Sequence, residues 1–336
     1  MSDPLPAPPA PPAPPGPPSA WARLGRRLAT WNHRRTLLLV AFGLLALLPI
    51  LFPNPYTIAT VLFYIPWYLA MTQSWNISGG YTGQLSFGHW GLLGVGAYTT
   101  VILAVTYNWP IVSAMLVAAL VTFLLGLLIG FVGAALRGPY FAIATLAAAA
   151  LMQLVILNWQ SVTLGALGFP IFYILIPASD LYYGALVLGG IATALVYGIS
   201  RTRVGLAFEA VRENEDLATA SGIYARGYKA LAFGLSAAIM GPVGGLYAFA
   251  SHYIDPNSAF NLLYNLQIIL MVVVGGRGKV LGPIVAAVAF AWVFEVALTS
   301  FNVYNYLITG VVIFVAVLLI PRGIFGFRGM PKVLQF

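Results

Sequence analysis

Residues 110–136 read PIVSAMLVAALVTFLLGLLIGFVGAAL, a run without a single charge that is closed by Arg137. Apolar stretches of roughly 18 or more residues mark membrane-spanning helices. Outward from this run in both directions, others of the same kind follow one another almost to the end of the chain. Ten are expected, at about 36–52, 56–76, 85–106, 110–136, 139–159, 181–199, 227–250, 262–275, 282–299 and 304–320. The segments opening at Pro139 and near Leu262 read equally as bent or partial spans. Composition agrees: of 336 residues, 60% are hydrophobic and 7% charged, with a mean hydropathy of +0.91. A soluble domain carries about 25% charged residues, so the expected fold is all-α, a polytopic membrane protein of about ten transmembrane helices.

Charge placement sets the orientation. With a cytoplasmic amino terminus, the loops near Gly80, Arg137, Arg201–Lys229, Arg277–Lys279 and Arg322–Lys332 fall inside, and with the amino-terminal arginines they hold all 16 Lys and Arg residues. The opposite loops carry only Asp180 and Asp255. Positive residues stay inside as a rule, so both termini are expected in the cytoplasm. The net charge of +8 is then a topology signal and no sign of nucleic acid. Without cysteine, disulfides and thiolate metal sites are excluded. The three histidines, His33, His89 and His252, are dispersed and have no ligand spacing.

Three regions frame the membrane part. Residues 1–35 are a proline-rich and then basic tail (Arg23, Arg26, Arg27, Arg34, Arg35) expected in the cytoplasm, without the basic leader and apolar core of a signal peptide. Residues 36–328 are expected to form the membrane-spanning domain, and 329–336 a short cytoplasmic tail. The densest charge lies in the inter-span loop 201–229, RTRVGLAFEAVRENEDLATASGIYARGYK, with four of the eight acids and five bases. Phe208, Val211, Leu217, Ala218, Ala220 and Ile223 are spaced for one or two short amphipathic helices. Asn214 offers a cap and Gly222 a stop. A plain connector needs far fewer residues, so this loop reads as a docking element for a cytoplasmic partner.

The stretch GGYTGQLSFGHWGLLGVGAY, residues 79–98, asks for a second decision. It lacks the G-x-G-x-x-G spacing, preceding strand and later acid of a dinucleotide site. Gly88, Gly91, Gly94 and Gly96, with the pairs Gly126–Gly130 and Gly241–Gly245, fit close helix packing in lipid instead. Gln84, Ser86 and His89 are polar at membrane depth, and such groups face a partner or water. Beside Gly79, Gly80 and Gly83 they suggest a broken start to the third span, with free backbone amides near a polar path through the lipid. Glu295 is the one acid expected inside a span. Its shallow position suits snorkelling or pairing, and proton coupling through Glu295 and His89 would make the chain a secondary transporter.

The segment EAVRENEDLATASGI, residues 209–223, resembles the ATPase-coupling loop of ABC importer permeases, and more narrowly that of the branched-chain amino acid (LivM-type) permeases. Residues 79–98, YKALAFGLSAAIMGPVGGLYA (228–248), MVVVGGRGKVLGPIVAA (271–287) and IPRGIFG (320–326) are similar to the same family in the same order. The resemblance implies an ATP-driven importer subunit of a bacterial inner membrane, carrying branched-chain or related apolar amino acids. It implies a second membrane permease subunit, two cytoplasmic ATPase subunits and an extracytoplasmic substrate-binding protein. Glu209, Arg212, Glu213, Asn214, Glu215, Ala218 and Gly222 would be the ATPase contact. Urea and short-amide permeases are similar in the same motifs. No catalytic residue, metal or bound cofactor is expected. The nearest approach to a phosphate loop is GGRGKV at 275–280, which has valine both after the lysine and where the first glycine belongs. ATP would be used by the partners.

Overall fold

The computed structural model describes residues 20–136, 138–172, 174–297 and 305–319, with the backbone alone described at 20–35, 296–297, 305–306, 313 and 316–319. The proline-rich tail, Arg137, residues 298–304 of the ninth expected span and everything from Ile320 onward lie outside the described residues. These include Arg322–Lys332, IPRGIFG and the 329–336 tail. Contacts divide the chain into residues 1–41 and 42–336; the first unit contains the beginning of helix α1 (Ala20–Leu51).

The described residues of each expected span are mostly helical. After α1 come α2 (Tyr64–Trp75), α3 (His89–Val101), α4 (Ile111–Gly133), α5 (Pro139–Asn158) and α6 (Ala178–Ile199). The long loop forms α7 (Arg203–Glu213) and α8 (Glu215–Ala220). Then follow α9 (Ala225–Ser251), α10 (Leu262–Gly275), α11 (Leu281–Trp292) and α12 (Asn305–Leu319). Among the described residues, six helical stretches, beginning at His89, Ile111, Pro139, Ala178, Ala225 and Pro256, are long and apolar enough to cross a membrane, and Thr36–Leu51 and Leu281–Glu295 are shorter apolar helices. The segment at Pro139 is one unbroken helix; the one near Leu262 is preceded by a separate short turn, Pro256–Ala259.

The opening stretch shows how the bundle is built. Along α4 only Ala114, Ala118, Thr122, Gly126, Gly130 and Gly133 are buried. They recur at every fourth or third position and form one narrow stripe of small residues. Val112, Leu116, Leu120, Leu124 and Leu128 point outward, where lipid is their natural solvent. Small residues on the stripe let α9 come close: a Cβ added at Gly126 would strike Ala237, and one at Gly130 would sit 2.9 Å from the Phe233 side chain. α9 is therefore the central post, packed by α3, α4, α2 and α6.

Helix α2 extends through wide, π-type turns over Asn76–Tyr81, and residues 82–88 are not helical. The third span thus starts at His89 and not at residue 85. At the opposite end of the bundle Phe169 and Pro170 pair antiparallel with Ile254 and Tyr253, a two-residue ribbon that helical periodicity gave no hint of. The loops near Gly80, Gly138, 201–229 and 276–280 gather together at one end, as the charge pattern expected of loops sharing a side.

Candidate functional site

The handle formed by α7 and α8 folds by local rules. The hydroxyl of Thr202 accepts from the Gly205 amide (3.4 Å) and starts α7. Asn214 is extended (φ −159°, ψ 106°) and its side chain accepts from the Leu217 amide at 3.0 Å, capping α8. Glu215 and Asp216 follow in the first turn, where the helix dipole favours anions. Gly222 takes φ +87°, the Ile223 amide reaches the Ala218 carbonyl at 3.0 Å, and the Gly222 amide reaches Thr219 at 3.0 Å. That pair of bonds is a Schellman stop, which requires a residue able to hold a positive φ. Ile223 packs over the small core of Val211, Ala218 and Ala225.

One face of the handle is spent internally. Phe208 is fully buried with its edge against Tyr228. The Lys229 ammonium donates to Glu215 at 2.5 Å, and these side chains are only 6% and 23% exposed. The other face is open: Leu206, Leu217 and Tyr224 are exposed apolar side chains, and the Glu213 side chain is 74% exposed. Glu209 is half-buried, Asn214, Asp216 and Gly222 are exposed, and Ala218 is buried. The seven residues expected to meet an ATPase are thus divided, with Arg212, Glu215 and Ala218 turned toward the protein. A cleft of about 500 Å³ beside α8 is lined by Ala134, Ala135, Glu215, Asp216, Tyr224 and Arg226.

The handle sits on the break that follows α2. Arg212 Nη1 donates to the Gly80 carbonyl at 2.9 Å, and its Nη2 and Nε donate to Glu213 Oε1 at 3.0 and 3.3 Å. The turn at 276–280 completes the seat. Asn76 Nδ2 donates to the Lys279 carbonyl (2.7 Å), the Gly278 amide donates to Asn76 Oδ1 (3.0 Å), and Gln73 Nε2 donates to the Val280 carbonyl (2.9 Å). A Cβ on Gly80 would stand 2.7 Å from the Gly278 nitrogen, so the two backbones touch only because both residues are glycine. A helix end leaves carbonyls unpaired, and a cation there is stabilising by roughly 0.3–1 kcal/mol.

The three polar residues expected along a path are also divided. Ser86 and His89 are fully enclosed. The Ser86 carbonyl accepts from Trp75 Nε1 (2.9 Å) and Asn265 Nδ2 (3.3 Å), and its hydroxyl accepts from the Gly88 amide (3.1 Å). His89 Nε2 lies 2.6 Å from Ser236 Oγ, which itself donates to the Ser74 carbonyl at 2.7 Å. When the Ser236 proton goes to Ser74, His89 donates through Nε2; in the other tautomer Nε2 accepts it instead. Ser74 Oγ returns a bond to the Ser236 carbonyl at 2.6 Å. Gln84 instead lines a cleft of about 260 Å³ with Thr82, Gly83, Arg212, Glu213 and Lys229, and its buried Nε2 has no partner among the described residues.

Four amides expected to be free at the break are bonded. Those of Gln84, Phe87, Gly88 and His89 go to the Ser78 carbonyl, Thr145 Oγ1, Ser86 Oγ and Asn265 Oδ1. Glu295 is held near Tyr68, whose hydroxyl is 3.3 Å from the carboxylate and 2.7 Å from Gln267 Oε1. Sequence reading missed Gln73, Asn76, Ser236, Asn265 and Lys229. Polar residues inside apolar runs were the available signal for the first four.

Comparison with known proteins gives one consistent result. The family of permease components of branched-chain amino acid transport systems matches residues 57–317. The high-affinity branched-chain amino acid transport system permease protein LivM of Escherichia coli K12 is 28% identical over 287 residues, covering 76% of this chain and 67% of that protein. The protein of the same description from Salmonella typhimurium LT2 matches to the same extent. No solved structure gives a significant match.

Proposed function

Since the chain belongs to the family of branched-chain amino acid transport permeases, we propose that its handle, residues 203–222, is where a separate cytoplasmic ATPase grips it. The protein is a multi-pass inner-membrane permease of the ABC importer type. Branched-chain or related apolar amino acids are its proposed cargo. The proposed assembly adds a second membrane permease subunit, a pair of ATPase subunits that bind and hydrolyse the ATP, and an extracytoplasmic protein that delivers substrate. This chain contributes no catalytic group in that scheme; it converts the motor's movement into opening and closing of a path. Gln84, facing the cleft under the handle, is the proposed path residue of the three polar candidates.

One observation carries the reading. The open face of the handle combines Leu206, Leu217 and Tyr224 with exposed carboxylates, while the opposite face is fastened to the bundle. Apolar anchors within a charged rim are the composition of a docking surface, and the fastening gives a docked partner something to pull on.

The test is reconstitution with the candidate ATPases and binding protein. Uptake of leucine should require ATP and resist an uncoupler; uptake that runs on a proton gradient alone rejects the reading. Glu213→Lys should reduce recovery of the ATPase with the permease while membrane insertion is kept. Glu215 is a poor choice for the same experiment, because reversing it sets two cations against each other at Lys229.

A further inference from the structure

We infer that Arg212 is a transmission latch, a positioning residue that passes movement of the handle to the broken segment 76–88 instead of touching the ATPase. The inference rests on the importer reading above and assigns a different role to one residue of the coupling loop.

The geometry has three parts. First, the guanidinium is shared. Nη1 holds the Gly80 carbonyl, 132 positions earlier in the chain, while Nη2 and Nε hold Glu213 Oε1. One planar group with fixed donors therefore joins a surface carboxylate to the end of the helix continuing α2. Second, the side chain passes through a slot made by missing side chains. A Cβ at Gly83 would lie 2.9 Å from Arg212 Cγ, and one at Gly278 would overlap Nη1. Gly83 and Gly278 have φ of +72° and +69°, so the slot walls are backbone in the left-handed region that favours glycine. Third, the far end of the latch is connected onward. Gly80 lies in the turns bound through Asn76 to residues 278 and 279, and Gln84 is bonded back to Ser78.

Competition follows from this arrangement. A cation brought to Glu213 by a docked partner draws on the same carboxylate oxygen that Arg212 uses. Arg212 then loses two of its three bonds on the surface side, and the remaining hold is on Gly80. Docking at the outer face is thereby felt at the break, without any contact between partner and break.

The experiment uses the complete reconstituted importer and measures leucine taken up per ATP hydrolysed, together with recovery of ATPase subunits. Arg212→Ala should keep the ATPase bound while the ratio falls about tenfold, the scale of an ordinary coupling free energy. Arg212→Lys, which keeps the charge and loses the fork, should fall part of the way. Gly278→Ala, which pushes Nη1 off Gly80, should give the same defect, and the double variant should be no worse than either single. Loss of the ATPase from Arg212→Ala, as for Glu213→Lys, overturns the latch, and so does an unchanged ratio. Should the Arg212→Ala or Gly278→Ala permease itself fail to fold and insert into the membrane, Arg212→Lys decides: a normal ratio rejects the latch, and a lowered ratio with the ATPase retained supports it. Absence of ATP-driven uptake in the unaltered protein would instead reject the importer reading itself.

Discussion

Gly244 and Gly198 are both helical glycines, and the structure gives them opposite expectations. A Cβ on Gly244 would collide with the Leu93 carbonyl and come within 2.9 Å of the Ala97 amide; backbone cannot move aside as a flexible side chain can. Gly244→Ala should lower stability by about 3 kcal/mol, the upper end of ordinary overpacking. At Gly198 nothing lies within 4 Å, so Gly198→Ala should be neutral or stabilising by about 0.5–1 kcal/mol through helix propensity. Thermal unfolding midpoints in one detergent compare the two; equal shifts would contradict the packing described between α3 and α9. The spacing of glycines was readable in the sequence. Which of them meets backbone depends on a neighbour more than a hundred residues away, and no local pattern carries that.

Among elements, the handle was the most legible. Asn214 and Gly222 act within a few residues of themselves, so their cap and stop could be read directly. Asn214→Ala should cost about 1 kcal/mol of local stability, seen as faster amide hydrogen exchange across 215–220 with the rest of the bundle unchanged. The links that fasten the handle were not legible, because Lys229–Glu215 and Arg212–Gly80 join partners 14 and 132 residues apart. Lys229→Met leaves the Glu215 carboxylate without its bond and mostly enclosed. That should cost about 1.5–3 kcal/mol, as for hydrogen bonds to charged groups, while Glu215→Gln together with Lys229→Met should recover part of the loss. A double-mutant cycle by chemical denaturation measures the coupling, and a value of zero would mean that the pair holds nothing.

For the molecule as a whole, spans and charge bias fixed the arrangement of loops, because lipid imposes length and sidedness on any sequence that crosses it. The absence of native cysteine makes sidedness easy to check. Leu217→Cys and Leu175→Cys introduce thiols at positions 65% and 81% exposed, at opposite ends of the bundle. A membrane-impermeant maleimide should label the first only in inside-out vesicles and the second only in right-side-out ones; the reverse, or both from one side, would overturn the orientation. What the sequence could not announce is the excursion over 160–177 and its ribbon with residues 253 and 254. Two paired residues leave no period to detect.

Ser74 and Ser236 each give a hydroxyl to the other's carbonyl, with His89 closing the group. Sliding α2 along α9 by a fraction of a turn breaks both links of this reciprocal clasp together, because each buried hydroxyl is bonded to the other helix. A motion that keeps these bonds carries α2, the start of α3 and the middle of α9 as a single block. The hinges belong to the seams around that block.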